Sequence, residues 1–221
     1  MKNFRPAFYA SLLIALASSL VHAQQSTRTW VSTTGDDANV CSSTSPCKTF
    51  AGAISKTNTG GEIDVLNSGG FGAVSILKSI TIDGTGALAL ITAAAGNGIT
   101  INLQDPADVA KSVRLRGLSI NGFGTGANGI SIVAAQRVSV ENCVIDGFSQ
   151  NGMLVASGRV FIRNTTIRNN TLAGVSASTG GGSVGLYDVA LIFNGATTAA
   201  EASSLIWFTK MVTFGNTRHL R

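Results

Sequence analysis

The stretches Val138-Ser139-Val140-Glu141-Asn142-Cys143-Val144-Ile145-Asp146 and Val160-Phe161-Ile162-Arg163-Asn164-Thr165-Thr166-Ile167-Arg168 repeat one another at a distance of 22 residues. In both, apolar and polar residues alternate, break at an asparagine, then alternate again. Working outward, the V-x-[LVI] element recurs at Val113/Leu115, Val138/Val140, Val160/Ile162, Val184/Leu186 and Ile206/Phe208, in steps of 25, 22, 24 and 22. Backwards it extends to Ile80/Ile82 and Ile63/Val65. A second column runs Val74/Ile76, Ile99/Ile101, Ile130/Ile132, Met153/Val155 and Val175/Ala177, mostly behind Asn-Gly or Ala-Gly steps. A third column runs Ile120, Ile145, Ile167 and Leu191 and keeps pace with the first.

A period of two within each segment is that of a strand with one buried face. Three short strands per repeat, joined by Gly and Asn corners, describe a coil that cannot bury its inward face alone and must stack on its neighbours. The predicted fold is therefore all-β: a right-handed parallel β-helix of about six coils of 22–25 residues. Asn142, Asn164 and Asp188 occupy equivalent corner positions. They are read either as a ladder of stacked amides or simply as turn formers. Ahead of the coils, Lys48 to Lys56 places Phe50, Ala53 and Ile54 on one helical face behind Pro46, which predicts a short capping helix over the open end.

Composition bounds the setting. Lys2 and Arg5 precede an uncharged apolar run from Ala7 to Leu20, and Val21-His22-Ala23 offers small residues for a signal peptidase. Cleavage after Ala23 is expected, an uncleaved anchor being the alternative, and no later stretch is long and apolar enough to span a membrane. The predicted organisation is a signal peptide (1–23), an N-terminal cap (24–60) and a β-helix (61–221) without an evident C-terminal cap. Localisation is expected to be secreted, periplasmic or at the cell surface. The removed segment carries two basic residues and no acidic one, so the net charge falls from +5 to +3. That is too mild and too scattered to argue for nucleic acid. In an oxidising compartment Cys41 and Cys47, which flank a Ser/Thr/Pro loop, are expected to form a disulfide. Cys143, inside an alternating apolar segment, is expected to be a buried thiol.

Trp30-Val31-Ser32, Gly35-Asp36-Asp37, Pro46-Cys47-Lys48-Thr49-Phe50 and Ala53-Ile54 resemble the N-terminal cap of secreted bacterial right-handed β-helix proteins of the pectin lyase-like superfamily. Gly70-Phe71-Gly72 through Ser79-Ile80-Thr81-Ile82-Asp83-Gly84 resembles the first full coils that follow it. The resemblance implies the fold and leaves the activity open, because the superfamily holds lyases, hydrolases, epimerases and adhesins.

The residue inventory does not favour hydrolysis: the adjacent acidic pair is Asp36-Asp37 in the cap, and His219 is the one histidine after Ala23. The repeat register stacks Asp83, Arg116, Glu141, Arg163 and Tyr187 outward on one face, with Phe161 and Trp207 one step back and Asn121, Asp146 and Arg168 nearby. This stripe is the candidate surface for a saccharide chain. Its alternating charge equally fits a ladder of ion pairs that holds neighbouring coils in register. Arginines intervene between the carboxylates, so calcium is not supported, and no cofactor or catalytic residue is predicted. The expected function is a non-catalytic, structural or glycan-binding protein at the cell surface. The alternatives are a polysaccharide lyase acting on acidic polysaccharide and a fragment of a larger adhesin. Polysaccharide is the expected partner, with self-association through the last coil as a further expectation.

Overall fold

The computed structural model describes residues 25–177, 182–200 and 205–214. The expected signal peptide, the chain end where no C-terminal cap is evident and His219 lie outside these residues. Within them the chain is a right-handed parallel β-helix in which every strand pairing is parallel.

The first column comprises Ser26–Val31, Thr57–Val65, Ile80–Asp83, Ser112–Arg116, Arg137–Glu141 and Gly158–Arg163, then the leading parts of Gly182–Ile192 and Leu205–Phe214. The third comprises Gly69–Gly70, Ala89–Thr92, Leu118–Asn121, Val144–Asp146 and Thr166–Arg168, then the trailing parts of the same two long strands. The second forms its own sheet of six: Val74–Ile76, Ile99–Asn102, Ile130–Ala134, Met153–Val155, Ala173–Ala177 and Ala196–Ala200.

The predicted register holds from the second coil onward. Val113, Val138, Val160 and Val184 align, as do Ile99, Ile130, Met153 and Val175, and Ile120, Ile145, Ile167 and Leu191. All twelve are buried, so the inward faces of the three columns form one continuous core. The first coil needs a correction of two residues: Ile63 pairs with Ile82 and Gly61 with Ile80, leaving Val65 beyond the end of its neighbour. The strand Thr57–Val65 leaves the cap helix directly, and the extra residues at its start shift the apparent period.

The corner between first and third columns turns on a single left-handed residue: Gly117, Asn142, Asn164 and Asp188 have φ of 63°, 54°, 48° and 55°. Asparagine and aspartate tolerate this region better than other side-chain-bearing residues. One exposed amide bond, 3.3 Å from Asn164 Nδ2 to Asn142 Oδ1, links two of these corners. The larger ladder lies elsewhere. Asn97, Asn128 and Asn151, at the entry to the second column, bond amide to amide at 3.0 and 3.1 Å. The glycines that follow them are required by contact. A Cβ on Gly98, Gly129 or Gly152 would lie 2.8, 2.5 or 2.6 Å from the carbonyl oxygen of the next glycine in the column.

The cap is built as the sequence indicates, though its helix is shorter, Phe50–Lys56, with Phe50 and Ala53 buried and Ile54 packed at the core's edge. Asp37 accepts from Lys48 N, Thr49 N and Thr49 Oγ1 at 2.8–2.9 Å, while Thr49 Oγ1 accepts from Gly52 N. Of the Asp36-Asp37 pair, Asp37 thus serves the helix N-terminus, while Asp36 accepts from Ala38 N in its own loop. Phe50 packs against Phe71 of the first coil in a tilted contact, with centroids 5.3 Å apart. Cys41 and Cys47 are disulfide-bonded with Cα atoms 4.6 Å apart, and both donate or accept backbone bonds with Trp30. Cys143 is buried, and burial pushes its thiol up to about 11.

Candidate functional site

The first-column strands project alternate side chains to solvent, and parallel register stacks these in rows along the coil axis. One row runs Trp30, Asp64, Asp83, Arg116, Glu141, Arg163 and Tyr187. At about 4.8 Å per coil it spans roughly 29 Å. The row beside it runs Arg28, Glu62, Thr81, Arg114, Ser139, Phe161 and Gly185. Trp207 continues this row in the backbone register, but its side chain lies outside the described residues.

The predicted stripe is therefore one physical surface, with corrections. Glu141 is largely covered: Arg163 Nη2 donates to its Oε2 at 3.0 Å, Ser139 Oγ to its Oε1 at 2.8 Å, and Arg114 and Arg116 approach at 3.8 and 4.0 Å. Arg116 also holds Asp83 at 2.8 Å. Three arginines around one carboxylate leave this part of the face basic. Arg137 and Arg159 add to it: they pair in register on adjacent coils and are both exposed. Reading one row at a time missed Arg114, Arg137 and Arg159, although the same register places them. Phe161 and Tyr187 are each 44% exposed, and Phe161 lies beside Gly185, which leaves its ring uncovered on that side. Asp146 and Arg168 form a separate cross-coil pair, Nη2 to Oδ2 at 2.9 Å.

A second correction concerns the carboxylates. Asp64 and Asp83 pair in register on neighbouring coils with no arginine between them. With Arg28, Trp30, Val65, Leu66 and Thr85 they line a cavity of about 280 Å³. Among the described residues no set of three His, Cys, Asp or Glu side chains converges as metal ligands, and no helix is long and apolar enough to cross a membrane.

Electrostatics divides the carboxylates. Burial alone would raise Asp37, Asp108 and Glu141, but hydrogen bonds outweigh it and hold each below the usual range: from Thr49 and Lys48, from Ser79 and Lys111, and from Ser139 and Arg163. Glu62 is raised, first by burial and then by repulsion from Asp64. A group more acidic folded than unfolded contributes stability above its unfolded pKa and loses it as pH falls through the folded one. The thermal midpoint is therefore expected to be flat near neutrality and to fall below about pH 4. Glu62 acts in the opposite sense, its protonated form being favoured in the fold. In Glu141→Gln the acid-side fall should be shallower, which a melting series from pH 7 to pH 3 checks.

Comparison with known protein families and with curated proteins finds no match. Among solved structures the chain is similar to that of pectate lyase Pel9A, with a TM-score of 0.62 and 14% identity over 79% of this chain. The match takes in 50% of that protein, so this chain spans about half its length. At such identity the likeness is one of fold alone, that of a parallel β-helix.

Proposed function

We propose that this chain is a secreted, non-catalytic β-helix protein that binds acidic polysaccharide along its first-column face. The observation that carries the reading is the exposed pair Arg137 and Arg159 on adjacent coils, beside Arg114, Arg116 and Arg163, whose charge exceeds that of the Glu141 and Asp83 carboxylates they surround. Arginine presents planar paired donors that match carboxylates, and rows one coil apart suit an extended chain laid along the axis. Phe161 and Tyr187 add apolar area at one end on which sugar rings can pack. The signal-like segment at 1–23 supports export. A lyase acting on the same polymers is the second reading, favoured by the likeness in fold to pectate lyase Pel9A.

The test is retention on polygalacturonate and on alginate at about 50 mM and about 500 mM salt, beside absorbance of unsaturated products with and without calcium. Binding that weakens with salt and drops at least about tenfold in Arg137→Glu/Arg159→Glu is the expected result. Turnover abolished by Arg116→Ala or Arg163→Ala would establish the lyase instead.

A further inference from the structure

The cavity at the N-terminal end of the same face differs in character from the arginine array. Its walls are the half-buried Trp30 and the side chains of Val65 and Leu66, and its polar groups are Asp64, Asp83, Arg28 and Thr85. Trp30, Asp64 and Asp83 sit on three successive coils in one row, so the aromatic surface and the two carboxylates follow one another at about 4.8 Å steps.

The carboxylates are held from both sides. Arg28 donates to Asp64 through Nε and approaches Glu62 at 3.3 Å, and its guanidinium lies over the Trp30 ring, 5.7 Å from its centre, so a stacked sugar uses the part of the indole that the guanidinium leaves open. Arg116 holds Asp83 Oδ2, while Thr85 N and Oγ1 donate to Asp83 Oδ1 at 2.9 and 2.5 Å. Asp64 and Asp83 are only 15% and 13% exposed as side chains. They are fixed acceptors at the base of a concavity, with a flat apolar flank beside them. Glu62, on the adjacent row, lies close enough for Asp64 and Asp83 to disfavour its charge. The local field is therefore negative, the reverse of that over Arg137 and Arg159.

We infer that this cavity is a subsite for one uncharged pyranose ring, stacked on Trp30 with its hydroxyls donating to Asp64 and Asp83. A uronate is disfavoured because its carboxylate would face Asp64, Asp83 and Glu62 while Arg28 and Arg116 are already engaged. The volume of about 280 Å³ accommodates one ring and its substituents. The inference rests on the glycan-binding reading for the claim that the ligand is a sugar. It adds that the polymer, or its end, contains a neutral residue about three coils from the acidic stretch. Aromatic stacking combined with fixed acceptors selects sugar hydroxyls by the geometry of the buried polar groups.

The experiment uses the full mature chain carrying Trp207→Phe, so that Trp30 is the sole tryptophan reporter. Its fluorescence is titrated with galactotetraose, cellotetraose, mannotetraose and tetragalacturonate. A saturable change with at least one neutral tetramer, weakened about tenfold or more in Asp64→Asn and unaltered in Arg137→Glu/Arg159→Glu, is the expected outcome. No saturable response to any neutral tetramer, a stronger response to tetragalacturonate, or indifference to Asp64→Asn would each overturn the subsite. Circular dichroism of Asp64→Asn confirms that the coil is intact, and Asp83→Asn gives a second variant if it is not. Polygalacturonate retention is scored separately. Its loss with the Trp30 response preserved removes the arginine-face reading alone, and the converse removes the subsite alone.

Discussion

Phe148→Ala is expected to lower the unfolding free energy by about 4 kcal/mol. Phe148 is fully buried at a corner of the stack, where Gly98, Gly122, Gly126 and Gly129 make room for its ring. A Cβ on Gly122 would lie 2.6 Å from Phe148 Cδ1, and one on Gly126 3.0 Å from Cε1. One ring thus fills a space shared by several coils, and no single neighbour can collapse into it when the ring is removed. Its backbone N also donates to Asn170 Oδ1 at 3.0 Å, which ties the corner to the next coil. Urea unfolding followed by circular dichroism measures the loss. A fall under about 1 kcal/mol would mean that the corner repacks freely.

Asn128→Ala is expected to cost about 3 kcal/mol, through unmet hydrogen bonds rather than lost apolar area. The Asn128 amide donates to Asn97 Oδ1 at 3.0 Å and to Gln150 Oε1 at 3.2 Å. Its oxygen accepts from Asn151 N and Nδ2 at 3.2 and 3.1 Å. Truncation strands the N and Nδ2 donors of buried Asn151 on the following coil, while Asn97 Oδ1 keeps the Asn128 backbone N as a donor. By contrast, Asn142→Gly is expected to cost under about 1 kcal/mol, because Asn142 is exposed and glycine keeps the left-handed turn. Comparable losses in the two variants would assign the stabilising ladder to the wrong corner. Chemical denaturation of both proteins under one set of conditions decides the matter.

The contrast between these asparagines shows where sequence reasoning reached and where it stopped. Equivalence of Asn142, Asn164 and Asp188 was legible from spacings of 22 and 24 residues, and the structure puts all three in the same left-handed corner. Which asparagines are buried was not legible, since Asn97-Gly98, Asn128-Gly129 and Asn151-Gly152 carry the same turn chemistry as an exposed loop. Only the approach of the next coil's carbonyl to each glycine distinguishes them. Likewise the stripe from Asp83 to Tyr187 followed from period alone, because parallel register carries sequence spacing directly into neighbouring positions. The Asp64–Asp83 pair did not, since the first coil departs from the period by two residues where the strand leaves the cap helix.

By itself, then, the sequence determined the alternation that makes strands, the period that stacks them and the identity of the inward columns. These are local properties that a repeat transmits coil by coil. The tertiary structure alone decided which side chains from different rows share one surface. It gathered Arg114, Arg137 and Arg159 beside the predicted row, covered Glu141 with guanidinium groups, and closed a cavity between Trp30 and Asp83. The physical reason is that a site on a solenoid is written across coils, at right angles to the chain. Its residues lie about 4.8 Å apart in space although some twenty or more positions separate them in sequence.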